Sequence, residues 1–127
     1  MRSKLFVPGS RPELFEKALA SRADGVSFDL EDAVAESAKA DARRQLAGFL
    51  AQLPATDKTI VVRVNSQDSV HYQADLDALV GTRLDIINLP KVEGPEQILQ
   101  LVADLERLER QQPSAANIRI LANIESP

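Results

Sequence analysis

The chain contains no cysteine and no tryptophan, and only one histidine, one methionine and one tyrosine in 127 residues. Without cysteine there are no disulfides, thiolate nucleophiles, iron–sulfur clusters or cysteine-ligated zinc sites. One histidine limits imidazole chemistry. Catalysis, if present, must therefore rest on carboxylates, Arg, Lys or a hard, oxygen-ligated metal ion. No apolar run approaches the length of a membrane span, so no membrane partner is expected. Met1-Arg2-Ser3-Lys4 leads into a strand-like segment without a signal-peptide core, which predicts a cytoplasmic protein. A net charge of -4 speaks against nucleic acid as a partner.

What the chain does contain is aliphatic. It is 44% hydrophobic and 27% charged, the composition of an ordinary globular domain. Strand-like and helix-like segments alternate along it. Lys4-Leu5-Phe6-Val7, Gly25 to Leu30, Thr59 to Val64, Asp85 to Leu89 and Ile118 to Ile124 read as strands. Between them lie four helical patterns: one opened by a Ser10–Glu13 capping box, one from about Glu36, a short one around Gln73 to Val80, and one after Gly94-Pro95. The apolar faces run through Leu14, Phe15, Ala18 and Leu19; through Ala42, Leu46, Phe49, Leu50 and Leu53; and through Ile98, Leu101, Val102, Leu105 and Leu108. His71-Tyr72 reads as the opening of the third helix, and Asp104 to Arg110 as the wetted face of the fourth. Strands separated by helices, with no Asn-Gly hairpin signal, predict right-handed crossovers and a parallel sheet.

Polar residues of chemical use gather where the strands end. Side-chain alternation predicts that Asp29 and Glu31 share a face, as do Arg63 and Asn65, and Asn123 and Glu125. In a parallel sheet the carboxyl ends lie on one edge, so Glu31, Asp32, Arg63, Lys91 and Glu125 should converge on a single mouth. Plainer readings stand beside this one. Asp29, Glu31 or Asp32 would also favour a following helix amino terminus, Arg63 would serve in a buried ion pair, and Lys91 would be a solvated loop residue.

The stretches Leu5 to Glu13 (Leu-Phe-Val-Pro-Gly-Ser-Arg-Pro-Glu), Asp29-Leu30-Glu31-Asp32-Ala33-Val34, Val62-Arg63-Val64-Asn65, Leu89-Pro90-Lys91-Val92 and Asn123-Ile124-Glu125-Ser126-Pro127 closely resemble the citrate lyase beta-subunit-like proteins of the HpcH/HpaI aldolase superfamily. The resemblance spans residues 1–127, read as the amino-terminal part of a single barrel domain. It implies a TIM (β/α)8 barrel that binds Mg2+ and cleaves or forms a carbon–carbon bond in citryl-, malyl- or citramalyl-coenzyme A thioesters. By that resemblance Glu125 is a direct magnesium ligand that also meets the substrate. Glu31 and Asp32 are catalytic carboxylates that hold metal-bound water. Arg63 faces the substrate carbonyl, and Arg11 lies on the coenzyme A side of the mouth. A homotrimer or larger homo-oligomer is also implied.

The family draws a second metal carboxylate from the strand after Glu125, and none follows here. A TIM barrel needs eight strands and about 250 residues, so the expectation is a fragment of a longer protein, unstable or aggregation-prone in isolation. The general base is left open among Glu31, Asp32, a metal-bound hydroxide and a residue past Pro127. Two other reactions stay possible on these residues: a metal-dependent aldolase acting on free 2-oxo acids, and a Schiff-base enzyme using Lys91. A non-catalytic coenzyme A-binding subunit is the alternative outside enzymology.

Overall fold

A computed structural model describes residues 3–112 and 118–124. Five parallel strands form one sheet in chain order: β1 (Lys4–Pro8), β2 (Gly25–Asp29), β3 (Thr59–Arg63), β4 (Ile86–Val92) and β5 (Arg119–Ile124). The crossovers carry α1 (Phe15–Ala20), α2 (Lys39–Ala51), α3 (Tyr72–Leu79) and α4 (Pro95–Gln111). The expected order of elements is therefore the observed one.

The central strands are buried on both faces: helices cover one, and the other lines the inside of the curled sheet. Every residue of β2 is buried, and Ile60, Val61 and Val62 of β3 are fully so. Alternation then sorts them. Val26, Phe28, Ile60, Val62, Ile87 and Leu89 join the helices' Phe15, Ala18, Leu46, Leu50, Leu76, Leu79, Leu101 and Leu105 in one apolar layer. Phe15 packs edge-on to Phe28 at 5.2 Å between ring centres and meets Phe49 at 5.2 Å, contacts that each contribute about 0.5–1.5 kcal/mol beyond the area they bury. The opposite face of the sheet is concave, and Lys4, Phe6, Ser27, Asp29, Arg63, Asn88, Leu121 and Asn123 line its cavity of about 520 Å³. At the edges, β1 and β5 expose Leu5, Phe6, Leu121 and Ile124.

Several local expectations are corrected. No Ser10–Glu13 capping box forms; Pro12–Leu14 make a 3-10 turn, and Glu13 accepts from Arg11 Nε at 2.9 Å instead. A side chain at Gly9 would lie 2.7 Å from Leu30 Cδ2 and 3.0 Å from the Asp29 carbonyl, so glycine lets β1 end tightly against β2. Asp104 is not on a wetted face. It is buried and accepts the Tyr72 hydroxyl at 2.7 Å, because α4 turns it toward α3. Burial raises the Tyr72 pKa, and the acceptor role of Asp104 adds to the rise. β4 runs on through Pro90 and Lys91 to Val92, three residues past the expected end at Leu89.

Candidate functional site

The strand register sets Pro8, Asp29, Arg63, Asn88 and Leu121 side by side near the carboxyl edge. Asp29 organises this row. Its Oδ1 accepts from Arg63 Nε at 2.9 Å and the Glu31 N–H at 2.8 Å; its Oδ2 accepts from Arg63 Nη2 at 2.6 Å and the Ala33 N–H at 2.9 Å. One carboxylate thus fixes both the guanidinium and the loop that follows β2. Burial works against the ionised form of Asp29, but the Arg63 hydrogen bonds, the two backbone N–H groups and the Arg63 charge outweigh it and lower the pKa. The Arg63 pKa is raised, first by its bond to Asp29 and further by the charges of Asp29, Glu31 and Asp32, against an opposing burial effect.

Glu31 extends the row into a string of alternating charge. Its buried carboxylate lies 3.6 Å from Arg63 Nε and 2.9 Å from Lys91 Nζ. The Lys91 pKa is raised, mainly by the hydrogen bond to Glu31 and then by its charge. Lys91 is an ammonium here, and the neutral amine required for Schiff-base chemistry is disfavoured. Glu31, Asp32, Arg63, Pro90, Lys91, Asn123 and Ile124 line a cavity of about 180 Å³. Convergence of Glu31, Asp32, Arg63 and Lys91 at one mouth is as the sequence predicts.

Three other expected residues stand differently. Arg11 follows β1 at the same edge, but its exposed guanidinium is bound to Glu13 and does not line this cavity. Asn65 does not share the mouth with Arg63. Regular strand structure stops at Arg63, and both the backbone N–H and the amide of Asn65 donate to Asp75 on α3, at 2.9 and 2.8 Å. Glu125 lies outside the described residues.

Two contributors escaped the sequence reading. Lys39 opens α2, and its Nζ donates to the carbonyls of Leu30 at 3.1 Å and Glu31 at 2.7 Å, tying down the loop that bears Glu31 and Asp32. No periodic signal marks such a lysine. Asn88 stands next to Arg63 and presents a buried Oδ1 with no partner among the described residues. The same rule that singled out Arg63, a polar residue in an apolar strand, would have found it. His71, the chain's one histidine, opens α3 as expected and is structural: its Nδ1 accepts from Arg43 at 3.3 Å and its Nε2 faces Glu36 at 3.3 Å.

The oxygen donors at the mouth fit a hard divalent ion held through water. Among the described residues no three His, Cys, Asp or Glu side chains form a ready metal cage. Glu31 has both carboxylate oxygens beside cations, which suits contact with a metal's water shell rather than direct ligation.

A parallel sheet with helices on one face, a concave opposite face and a charged carboxyl edge is the architecture of a TIM-barrel sector. The chain belongs to the HpcH/HpaI aldolase/citrate lyase family, whose description matches residues 2–127. It is 35% identical over 127 residues to the citrate lyase subunit beta of Haemophilus influenzae, covering 99% of this chain and 44% of that protein. It is 38% identical over 128 residues to the L-malyl-CoA/beta-methylmalyl-CoA lyase of Cereibacter sphaeroides, covering 98% of this chain and 40% of that protein. Its fold matches the citrate lyase beta subunit of Mycobacterium tuberculosis complexed with oxaloacetate and magnesium, with a TM-score of 0.71 and 36% identity over 97% of this chain and 47% of that one. The fold is thus that of the amino-terminal part of a TIM-type barrel. The chain spans less than half the length of the curated relatives it matches.

Proposed function

We propose that this chain supplies the Arg63 and Glu31–Asp32 side of a magnesium-dependent lyase site that cleaves or forms a carbon–carbon bond in hydroxyacyl-coenzyme A thioesters. The observation that carries the reading is the double hydrogen bond from Arg63 to Asp29, which holds a guanidinium at a mouth shared with Glu31, Asp32 and Lys91. Cleavage between the hydroxyl-bearing carbon and the carbon next to the thioester releases a 2-oxo acid and leaves an enolate, whose charge must be met as it develops. Arg63 is oriented before substrate arrives, so stabilising the enolate oxygen requires no reorganisation. Glu31 and Asp32 orient water on the metal side of the mouth, with Glu125 as a direct ligand. A bound Mg2+ would polarise the carbonyl of the 2-oxo acid fragment.

The reading fits Mg2+ better than zinc because the mouth offers oxygen donors alone. The named relatives are a citrate lyase beta subunit and an L-malyl-CoA/beta-methylmalyl-CoA lyase, and the solved neighbour holds magnesium and oxaloacetate. Homo-oligomerisation and the coenzyme A contact of Arg11 are part of this proposal. Its test is incubation of the full chain, in its native assembly, with malyl- and citramalyl-coenzyme A. Release of acetyl-coenzyme A with glyoxylate or pyruvate, abolished by a chelator and restored by Mg2+, is the expected result. Cleavage of free hydroxy acids at equal rate would show an aldolase indifferent to the thioester. Tight coenzyme A binding without turnover of either thioester would show a binding subunit.

A further inference from the structure

Lys91 is the one residue other than glycine with a positive φ, at 56°, among the described residues. That region is disfavoured for side chains with a Cβ, and residues held there concentrate where the surroundings over-determine them, often at functional sites. The cause is visible in the sheet. β4 and β5 pair in register from Ile86 to Leu89, shift, and resume at Val92 with Ile124. An extra residue in a strand resets the alternation of side chains. With regular alternation Asn88 faces the concave side, Leu89 the helices, Pro90 the concave side, and Lys91 the apolar layer. After the shift Val92 takes the place in that layer, and Lys91 turns into the mouth beside Glu31, Asp32 and Arg63.

We propose that Lys91 is a substrate-contacting residue, placed by this bulge to bind the carboxylate of the oxo-acid or hydroxy-acid part of the substrate. The inference rests on the function proposed above and adds a recognition group to that same site. Glu31 Oε2 anchors the ammonium at 2.9 Å, and an ammonium has three N–H donors. The Lys91 side chain is 53% exposed and lines the cavity, so it is both anchored and accessible. Arg63, the other cation of the mouth, turns its Nε and Nη2 to Asp29. A lysine kept solely as a solvated surface group would not need a left-handed backbone, because a glycine would adopt this bulge without a Cβ conflict.

The probe is oxalate, a planar dianion that presents the carboxylate and adjacent oxygen of a 2-oxo acid fragment, titrated calorimetrically into the full chain in its native assembly at saturating Mg2+. Magnesium affinity is measured separately with Mn2+ as a paramagnetic reporter. Lys91→Gly relieves the backbone and removes the ammonium; Lys91→Gln removes the ammonium alone; Lys91→Arg keeps a cation. In the first two, oxalate affinity is expected to fall at least tenfold with metal affinity changed less than twofold and thermal stability of the Gly variant undiminished. The Arg variant should keep part of the affinity. Oxalate binding indifferent to residue 91, or lost in parallel with metal binding, overturns the inference while leaving the proposed function standing. An unsubstituted protein that binds no divalent ion overturns the proposed function and this inference together.

Discussion

The two edges of the sheet use the same residue types to different ends. At the amino edge, Lys58 Nζ donates to the carbonyls of Ser21 and Ala23; Asp85 accepts the Ile60 N–H and Arg83, both at 2.8 Å; and Arg83 reaches the Thr56 carbonyl at 3.2 Å. Each charged group there serves mainly to tie one connection to the next. At the carboxyl edge, Asp29 and Lys39 do the same for the β2 loop, but they hold up Arg63, Glu31, Asp32 and Lys91, which face a cavity. Charge that closes on backbone stabilises; charge held in excess of what the backbone needs is available to a ligand. This is the division of labour between the two faces of a TIM barrel.

Paired substitutions at the two edges break or sharpen that contrast. The largest difference is expected between the arginines. Arg63→Gln should lower kcat/KM for the thioester by about 10²–10³-fold, the scale of one lost oxyanion donor, whereas Arg83→Gln should leave it unchanged and destabilise by about 1 kcal/mol. Equal catalytic losses at both edges would show that the two arginines act only through stability.

The lysines come next. Lys39→Met frees the carbonyls of Leu30 and Glu31, so Mg2+ affinity should fall about tenfold, as for other groups that orient a metal's surroundings. Lys58→Met should lower the melting temperature and spare metal binding. Calorimetric titration with Mg2+ and a thermal scan of each variant separate the two outcomes.

A smaller effect is expected in acid. The Asp29 pKa is lowered below its ordinary value of 3.8, so its ion pair contributes stability that is fully present above the unfolded value and lost as pH falls through the folded one. Urea midpoints of the wild type should therefore drop below about pH 4, and the drop should be shallower in Asp29→Asn. An identical acid limb in that variant would remove Asp29 from the account. Smallest of all, Arg11→Ala should raise the thioester KM by no more than about fivefold with kcat unchanged, the range of an exposed charge contact.

Much of this was legible in the chain because the signals are local. Ile60-Val61-Val62 can form little but a buried strand, and a helix presenting Leu101, Leu105 and Leu108 has one side to bury. That Glu31, Asp32, Arg63 and Lys91 lie at one edge of the sheet follows from parallel topology, since every crossover returns to the same edge. Asn65 was misread because alternation was extended past Arg63, where the strand gives way to a loop and Asp75 captures the amide. Asp104 was misread because a run of charge says nothing about which of its members meets a neighbouring tyrosine.

Periodicity and residue type, which depend on near neighbours, were enough to determine the order of elements, the apolar layer and the set of ionisable groups at the carboxyl edge. Tertiary structure alone decided that Asp29 holds Arg63, that Lys39 holds the loop of Glu31, and that Lys91 turns inward at a bulge. The physical reason is range: these contacts join residues brought together by strand register, and hydrogen-bond geometry between distant segments leaves no mark on the spacing of either one.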